Sequence, residues 1–312
     1  MKKDYNNCTN LRFLCRFLSA ILIIILSCVI LLNSILIVGE IMQYKKFKFS
    51  TTQIILFSFI SAIFLGSLLL KLPISSTNGI SVSYVDALFT ATTATCVTGL
   101  VTLPTVSTWS IFGQIVILIL IQIGGLGIIT VMSWFMISVH KKIDIGKRLL
   151  LQDAFNLDSM SGLVRFVKKV VKGTFFVELA GALGYMTVFI PQFGLKGIWI
   201  SIFNSISAFC NAGIDIIAED SLAQYATNPI INFVTCALII LGGIGFIVWW
   251  DVLSLSKQSK RKWYIRFKDL SLHSKIAIST TLTLLLIGTI ATFIFEYNNP
   301  LTIKDLNILI RI

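Results

Sequence analysis

The sequence predicts an all-α integral membrane protein built from parallel span–pore-loop–span repeats, two complete and a third begun. Three observations carry that expectation. The 312 residues are 56% hydrophobic and only 13% charged, with a mean hydropathy of +0.89, against about 25% charged in an ordinary soluble domain. The apolar runs are continuous rather than alternating, which fits spanning helices and not barrel strands. Two stretches also share one order of features: an apolar span, a proline, a shorter apolar stretch ending in Cys-x-x-Gly, then a span with Gly-Gly-x-Gly.

The net charge of +12 does not point to nucleic acid, whose basic footprint lies on a soluble face. Lysine and arginine instead cluster between apolar runs, the positive-inside pattern of a multi-pass protein of the cell membrane, solvated by lipid. Six cysteines form no Cys-x-x-Cys pair, and His140 and His273 are too few for a metal cluster. No acid, base, nucleophile and metal converge in the pattern, so the chain does not read as an enzyme.

The elements follow in order. Residues 1–50 hold a basic N-terminal segment and an apolar helix at 17–39, which either spans or lies at the interface with both ends inside. Residues 51–140 form the first repeat, with spans at 53–70 and 110–139, the second long enough to be tilted or to project. Residues 141–172 are a basic cytoplasmic linker. Residues 173–250 form the second repeat, with spans at 173–190 and 230–250. Residues 251–275 are a second basic linker, and 276–312 hold the first helix of a third repeat, at 276–295.

Between the paired spans lie "YVDALFTATTATCVTGL" and "GIWISIFNSISAFCNAGI". Both connect outer ends, and both are too apolar for a solvated loop and too short for two crossings. A re-entrant loop fits, with a short helix dipping in (85–95 and 198–209) and an extended strand returning. Such backbone is tolerated at that depth only when shielded by protein or lining a watery cavity. Both units start and end on the cytoplasmic side, so the copies are parallel. That points to a pore rather than to a rocking transporter built from inverted repeats.

In a pore loop, backbone carbonyls replace an ion's hydration shell. The expected filter residues are Cys96, Val97, Thr98 and Gly99, with Cys210, Asn211, Ala212 and Gly213. Gly99 and Gly213 would supply the positive φ that aligns neighbouring carbonyls. The partly negative C-terminal ends of the dipping helices favour a cation. Thr92, Thr93, Thr95 and Thr98 would bond to backbone where water is scarce. Cys96 and Cys210 are read as small residues packed behind the filter, since thiols suit softer metals than an alkali cation. The runs Gly124, Gly125, Gly127 and Gly242, Gly243, Gly245 are read as sites of close helix approach. Glu178, an acid inside a span, is expected to pair with a basic residue near the cytoplasmic boundary.

"DALFTATTATCVTGL", "FGQIVILILIQIGGLGIIT" and "SIFNSISAFCNAGID" resemble the Trk/Ktr/HKT superfamily of cation transporters, and its Ktr-type membrane subunit most closely, over about residues 50–300. The resemblance implies uptake of K+ or Na+ through the filter, with no cofactor. It also implies a homodimer and a cytoplasmic ring of nucleotide-binding regulatory subunits. Glycine at position 99 is similar to the potassium-permeable members. The family pattern has four such units around one pore, so the chain is expected to be a truncated product, or half of a pore completed by another chain. Two alternatives stay open: an incomplete, non-transporting copy, and a secondary transporter of another solute.

Overall fold

A run of apolar residues with good helix formers becomes helical in a membrane because every backbone polar group must be satisfied within its own segment. The computed structural model describes residues 51–127, 130, 131, 133, 163–256, 269–297 and 299, and among them it is helical, with one isolated bridge between Ser76 and Trp109. The expected segment at 17–39, most of the first basic linker and much of the second lie outside the described residues.

Helix α1, Thr51–Lys71, covers the expected first span. Pro73 opens a single 3-10 turn, Pro73–Ser75, and the chain then runs extended beside its return segment. There the amide of Thr77 donates to the Thr108 carbonyl at 3.0 Å, and that of Ser110 to the Ser75 carbonyl at 2.9 Å. Helix α2, Tyr84–Cys96, covers the stretch expected as the first dipping helix. Helix α3, Ile111–Leu126, starts at Ser110, whose hydroxyl accepts from the Gly113 amide at 3.3 Å as an N-cap.

Helix α4, Leu163–Phe193, has 31 residues. At 1.5 Å per residue it is about 46 Å long, beyond the roughly 30 Å hydrocarbon core. Its first turns carry Arg165, Lys168, Lys169 and Lys172, all exposed, so the helix extends past the apolar span predicted at 173–190. The loop expected from Pro191 begins at Gly194, because proline near a helix end removes little backbone bonding. Helix α5, Lys196–Phe209, covers the stretch expected as the second dipping helix. Helix α6, Pro229–Gly243, is capped by Asn228, whose side chain accepts from the amides of Ile230 and Ile231 at 3.0 and 3.2 Å, with proline at the favoured first position. Helix α7, Phe246–Ser256, and helix α8, Leu272–Glu296, follow, and two short helical turns lie at Thr105–Thr108 and Ala223–Tyr225.

The span predicted as continuous at 230–250 is instead broken. Helices α6 and α7 meet at 95°, with Gly245 at φ +92° in the break. The indole of Trp249 reaches back across the bend and donates to the Leu241 carbonyl at 2.9 Å, satisfying a group that the interrupted helix leaves free. The span predicted at 110–139 is interrupted likewise, α3 ending at Leu126 with Gly127 at φ +79°. By length and composition, α4 and α8 are each able to cross a membrane, as are α6 and α7 taken together.

Each dipping helix sits between two longer ones: α2 packs on α1 and α3, and α5 on α4 and α6. Helix α3 also touches α5, which joins the two groups. Trp109, Ile117, Leu120, Ile121, Phe189 and Phe203 are fully buried at these contacts. In lipid, association of this kind rests on close packing rather than on release of water from apolar surface. Glycine supplies the room: a Cβ at Gly66 would stand 2.7 Å from Leu120, and one at Gly184 2.8 Å from Val234.

Candidate functional site: the two glycine loops

Helix α2 ends because Val97 turns into the left-handed region, at φ +57°, and Gly99 follows at φ +78°. After α5, Asn211 (φ +59°) and Gly213 (φ +68°) do the same. The bonds that hold these turns correspond one to one. The amides of Thr98 and Ala212 donate to the carbonyls of Thr93 and Ser207, at 3.0 and 2.8 Å. The amides of Leu100 and Ile214 donate to the hydroxyls of Thr93 and Ser207, at 3.0 and 3.1 Å.

The two loops touch through their glycines. A Cβ on Gly99 would lie 2.8 Å from the Ala212 carbonyl oxygen and 3.5 Å from the Gly213 Cα. Positive φ and this approach together require glycine at 99. Eight expected filter residues are therefore brought into two adjacent turns, 96–99 and 210–213.

The threonines bond to backbone in part. Thr92 and Thr95 donate to the carbonyls of Leu88 and Ala91, each at 2.7 Å. Thr93 and Thr98 bond to each other through their hydroxyls at 2.6 Å. Thr93 bonds to backbone as expected, through the Leu100 amide, whereas Ser207 as the matching anchor of the second loop was missed in the sequence, although a hydroxyl three residues before each cysteine was visible.

The glycine runs allow close approach, as expected. A Cβ on Gly124 would collide with the Thr95 carbonyl, and one on Gly242 with the Phe209 carbonyl. Each dipping helix thus rests its last turn on the glycine run of the helix that follows it. The third glycine of each run, at 127 and 245, ends or bends the helix, a role not expected from the sequence.

Two expectations are corrected. Cys210 is buried against Gly125, as a residue packed behind a loop should be, but Cys96 is exposed although its neighbours Thr95 and Val97 pack on Gly124 of α3. Glu178, buried on α4, does not pair with a basic residue among the described residues. The amide Nε2 of Gln122 on α3 donates to both of its carboxyl oxygens, at 2.9 and 3.2 Å. The basic residues of α4 point outward, so an uncharged amide from the neighbouring helix takes their place.

A cavity of about 290 Å³ opens beside the second loop, lined by Tyr185, Asn204, Ser207, Asn211, Asp215 and Thr235 among others. Among the described residues, no three of His, Cys, Asp and Glu gather as a metal site.

Among the described residues, apolar helices that hold between them two short helices ending in touching glycine loops define an all-helical integral membrane protein. The chain belongs to the TrkH family, described as cation transport protein, whose model matches residues 16–308; that family is not one of enzymes. It is 44% identical over 257 residues to the potassium/sodium uptake protein NtpJ of Enterococcus hirae, which covers 82% of this chain and 54% of that one. It is 40% identical over 265 residues to the Ktr system potassium uptake protein B of Bacillus subtilis, covering 85% and 57%. Similarity to the protein of the same description from Vibrio alginolyticus is 35% over 265 residues, covering 84% and 55%. The chain spans about half the length of the curated relatives it matches.

Proposed function

We propose that the protein takes part in uptake of potassium or sodium across the cell membrane as a pore-forming subunit. In this reading residues 51–140 and 173–250 are two parallel copies of one span–pore-loop–span unit, and 276 begins a third. The backbone carbonyls of Cys96, Val97, Thr98 and Gly99, and of Cys210, Asn211, Ala212 and Gly213, form two adjacent sides of the ion filter. The remaining sides come from further loops of the same kind. The observation that carries the proposal is the pair of loops with matched hydrogen bonds and left-handed residues, in contact at Gly99 and Gly213. Chains of carbonyls without charged ligands suit an alkali cation, which must bind well enough to shed water and weakly enough to leave. The C-terminal ends of α2 and α5 add partial negative charge beside the loops.

The cavity beside the second loop has Asn204, Asn211 and Asp215 in its otherwise largely apolar lining, and these polar groups suit the approach of a partly hydrated cation. The basic linkers at 141–172 and 251–275 face the cytoplasm by the positive-inside rule and offer contacts to a nucleotide-binding regulatory subunit, in a homodimeric assembly. The relatives described as Ktr system proteins support that partnership.

The test is rubidium and sodium uptake in a bacterium deficient in potassium uptake, with the protein expressed from its gene. Potential-driven uptake of either ion, lost on Gly99→Asp substitution, is expected. Absence of uptake from membranes that contain the protein together with the regulatory subunit would overturn the proposal.

A further inference from the structure

We infer that Glu178 and Gln122 act as a positioning pair that holds Cys210, and through it the second loop, in place from outside the ion path. The inference rests on the filter reading above, because it assigns a task to groups standing behind that filter. Helix α3 of the first unit reaches α5 of the second at two polar points. At its outer end, Gln114 accepts from the indole of Trp199 at 2.8 Å and donates to the Trp109 carbonyl at 3.0 Å. At its inner end, Gln122 meets Cys210, whose thiol donates to the amide oxygen at 3.5 Å. The other end of that amide is fixed by Glu178.

The chemistry of the carboxyl sets the direction of the contact. Both carboxyl oxygens accept from the Gln122 NH2, so the amide oxygen is left for the thiol. With an apolar residue at 178 the amide has no reason to keep that orientation. Glu178 is itself held at its backbone: its carbonyl accepts from the Ser205 hydroxyl on α5 at 2.6 Å, and a Cβ on Gly181, one turn further along α4, would lie 2.5 Å from that same hydroxyl. The carboxyl thus has its position fixed by the helix whose last residues it steadies. A buried acid is costly in a span, and well-packed apolar residues often serve stability equally well. Positioning gives the acid a task that packing alone does not.

The experiment labels the cysteines with a small, membrane-permeant thiol reagent in the purified protein and quantifies each by peptide mass spectrometry. Cys96 and Cys236, both exposed, are internal references. Glu178→Leu and Gln122→Leu are each expected to raise labelling of Cys210 about fivefold, the factor carried by loss of one ordinary buried hydrogen bond. Glu178→Gln, which keeps an acceptor, should fall between wild type and Glu178→Leu. The same variants are expected to shift the rubidium-to-sodium uptake ratio, which general loss of folded protein leaves unchanged. Wild-type labelling of Cys210 in both leucine variants would overturn the inference. Faster labelling with an unchanged uptake ratio would uphold the positioning of Cys210 and count against the filter assignment instead.

Discussion

The loop after α2 and the loop after α5 reach one backbone shape with different side chains. Both place a left-handed residue and then a glycine after the helix, and both hang an amide on a hydroxyl seven residues back. Yet the first uses Thr93, Val97 and an exposed Cys96, whereas the second uses Ser207, Asn211 and a buried Cys210. The hydroxyl of Thr93 bonds sideways to that of Thr98, while the hydroxyl of Ser207 returns its proton to the Ile214 carbonyl at 2.5 Å. What the two regions share is the path of the backbone. That shared path is what the filter proposed above would need, and it leaves the side chains free to differ.

The contrast is sharpest at the glycines. An alanine in the left-handed region costs about 1–2 kcal/mol, and both Gly99 and Gly213 stand there. At Gly99 the new Cβ also meets the Ala212 carbonyl at 2.8 Å, whereas at Gly213 the nearest atom is 3.5 Å away, an ordinary contact. Gly99→Ala should therefore abolish rubidium uptake, while Gly213→Ala retains a measurable fraction. Equal loss in the two variants would mean that the loops do not differ in crowding as their geometry indicates.

The hydroxyl anchors come next in size. Thr93 and Ser207 are both buried. Thr93→Val leaves the Leu100 amide without its acceptor, and Ser207→Ala removes a partner from both the amide and the carbonyl of Ile214. A buried polar group left unsatisfied costs about 1–3 kcal/mol. Both variants should lower the thermal midpoint in detergent, Ser207→Ala by more. A larger loss in Thr93→Val would place the greater share of loop stability in the Thr93–Thr98 contact.

Much of this architecture was legible in the sequence, and for a physical reason. A membrane demands long apolar runs and puts basic residues at their ends, so helices α1, α4 and α8 announce themselves. The dipping helices were visible because a stretch such as residues 84–96 is too apolar to be a loop and too short to cross. The breaks at Gly127 and Gly245 were not legible, since hydropathy is blind to direction and the apolar run continues through the bend. The partner of Glu178 was hidden as well. Charge suggested a lysine on the same helix, but the lysines face outward, and the amide that meets the acid lies 56 positions away on another helix. The contact between Gly99 and Gly213 depends on how the two units pack, which a repeat in sequence does not state.

The smallest effect separates bonding that holds the loop from bonding that merely accompanies the helix. The Thr92 hydroxyl donates to the Leu88 carbonyl one turn back, at 2.7 Å, and its side chain is exposed. That carbonyl is in position to accept from the helical amide four residues on, so removing the hydroxyl orphans nothing. Thr92→Val should change the thermal midpoint by no more than an ordinary surface substitution, within about 0.5 kcal/mol, and leave rubidium uptake intact. Thr93, its neighbour in sequence, points the other way and holds an amide that has no helical partner. A Thr92→Val variant as damaged as Thr93→Val would show that the exposed face of α2 is in fact covered, and that its hydroxyl bonds beyond its own helix.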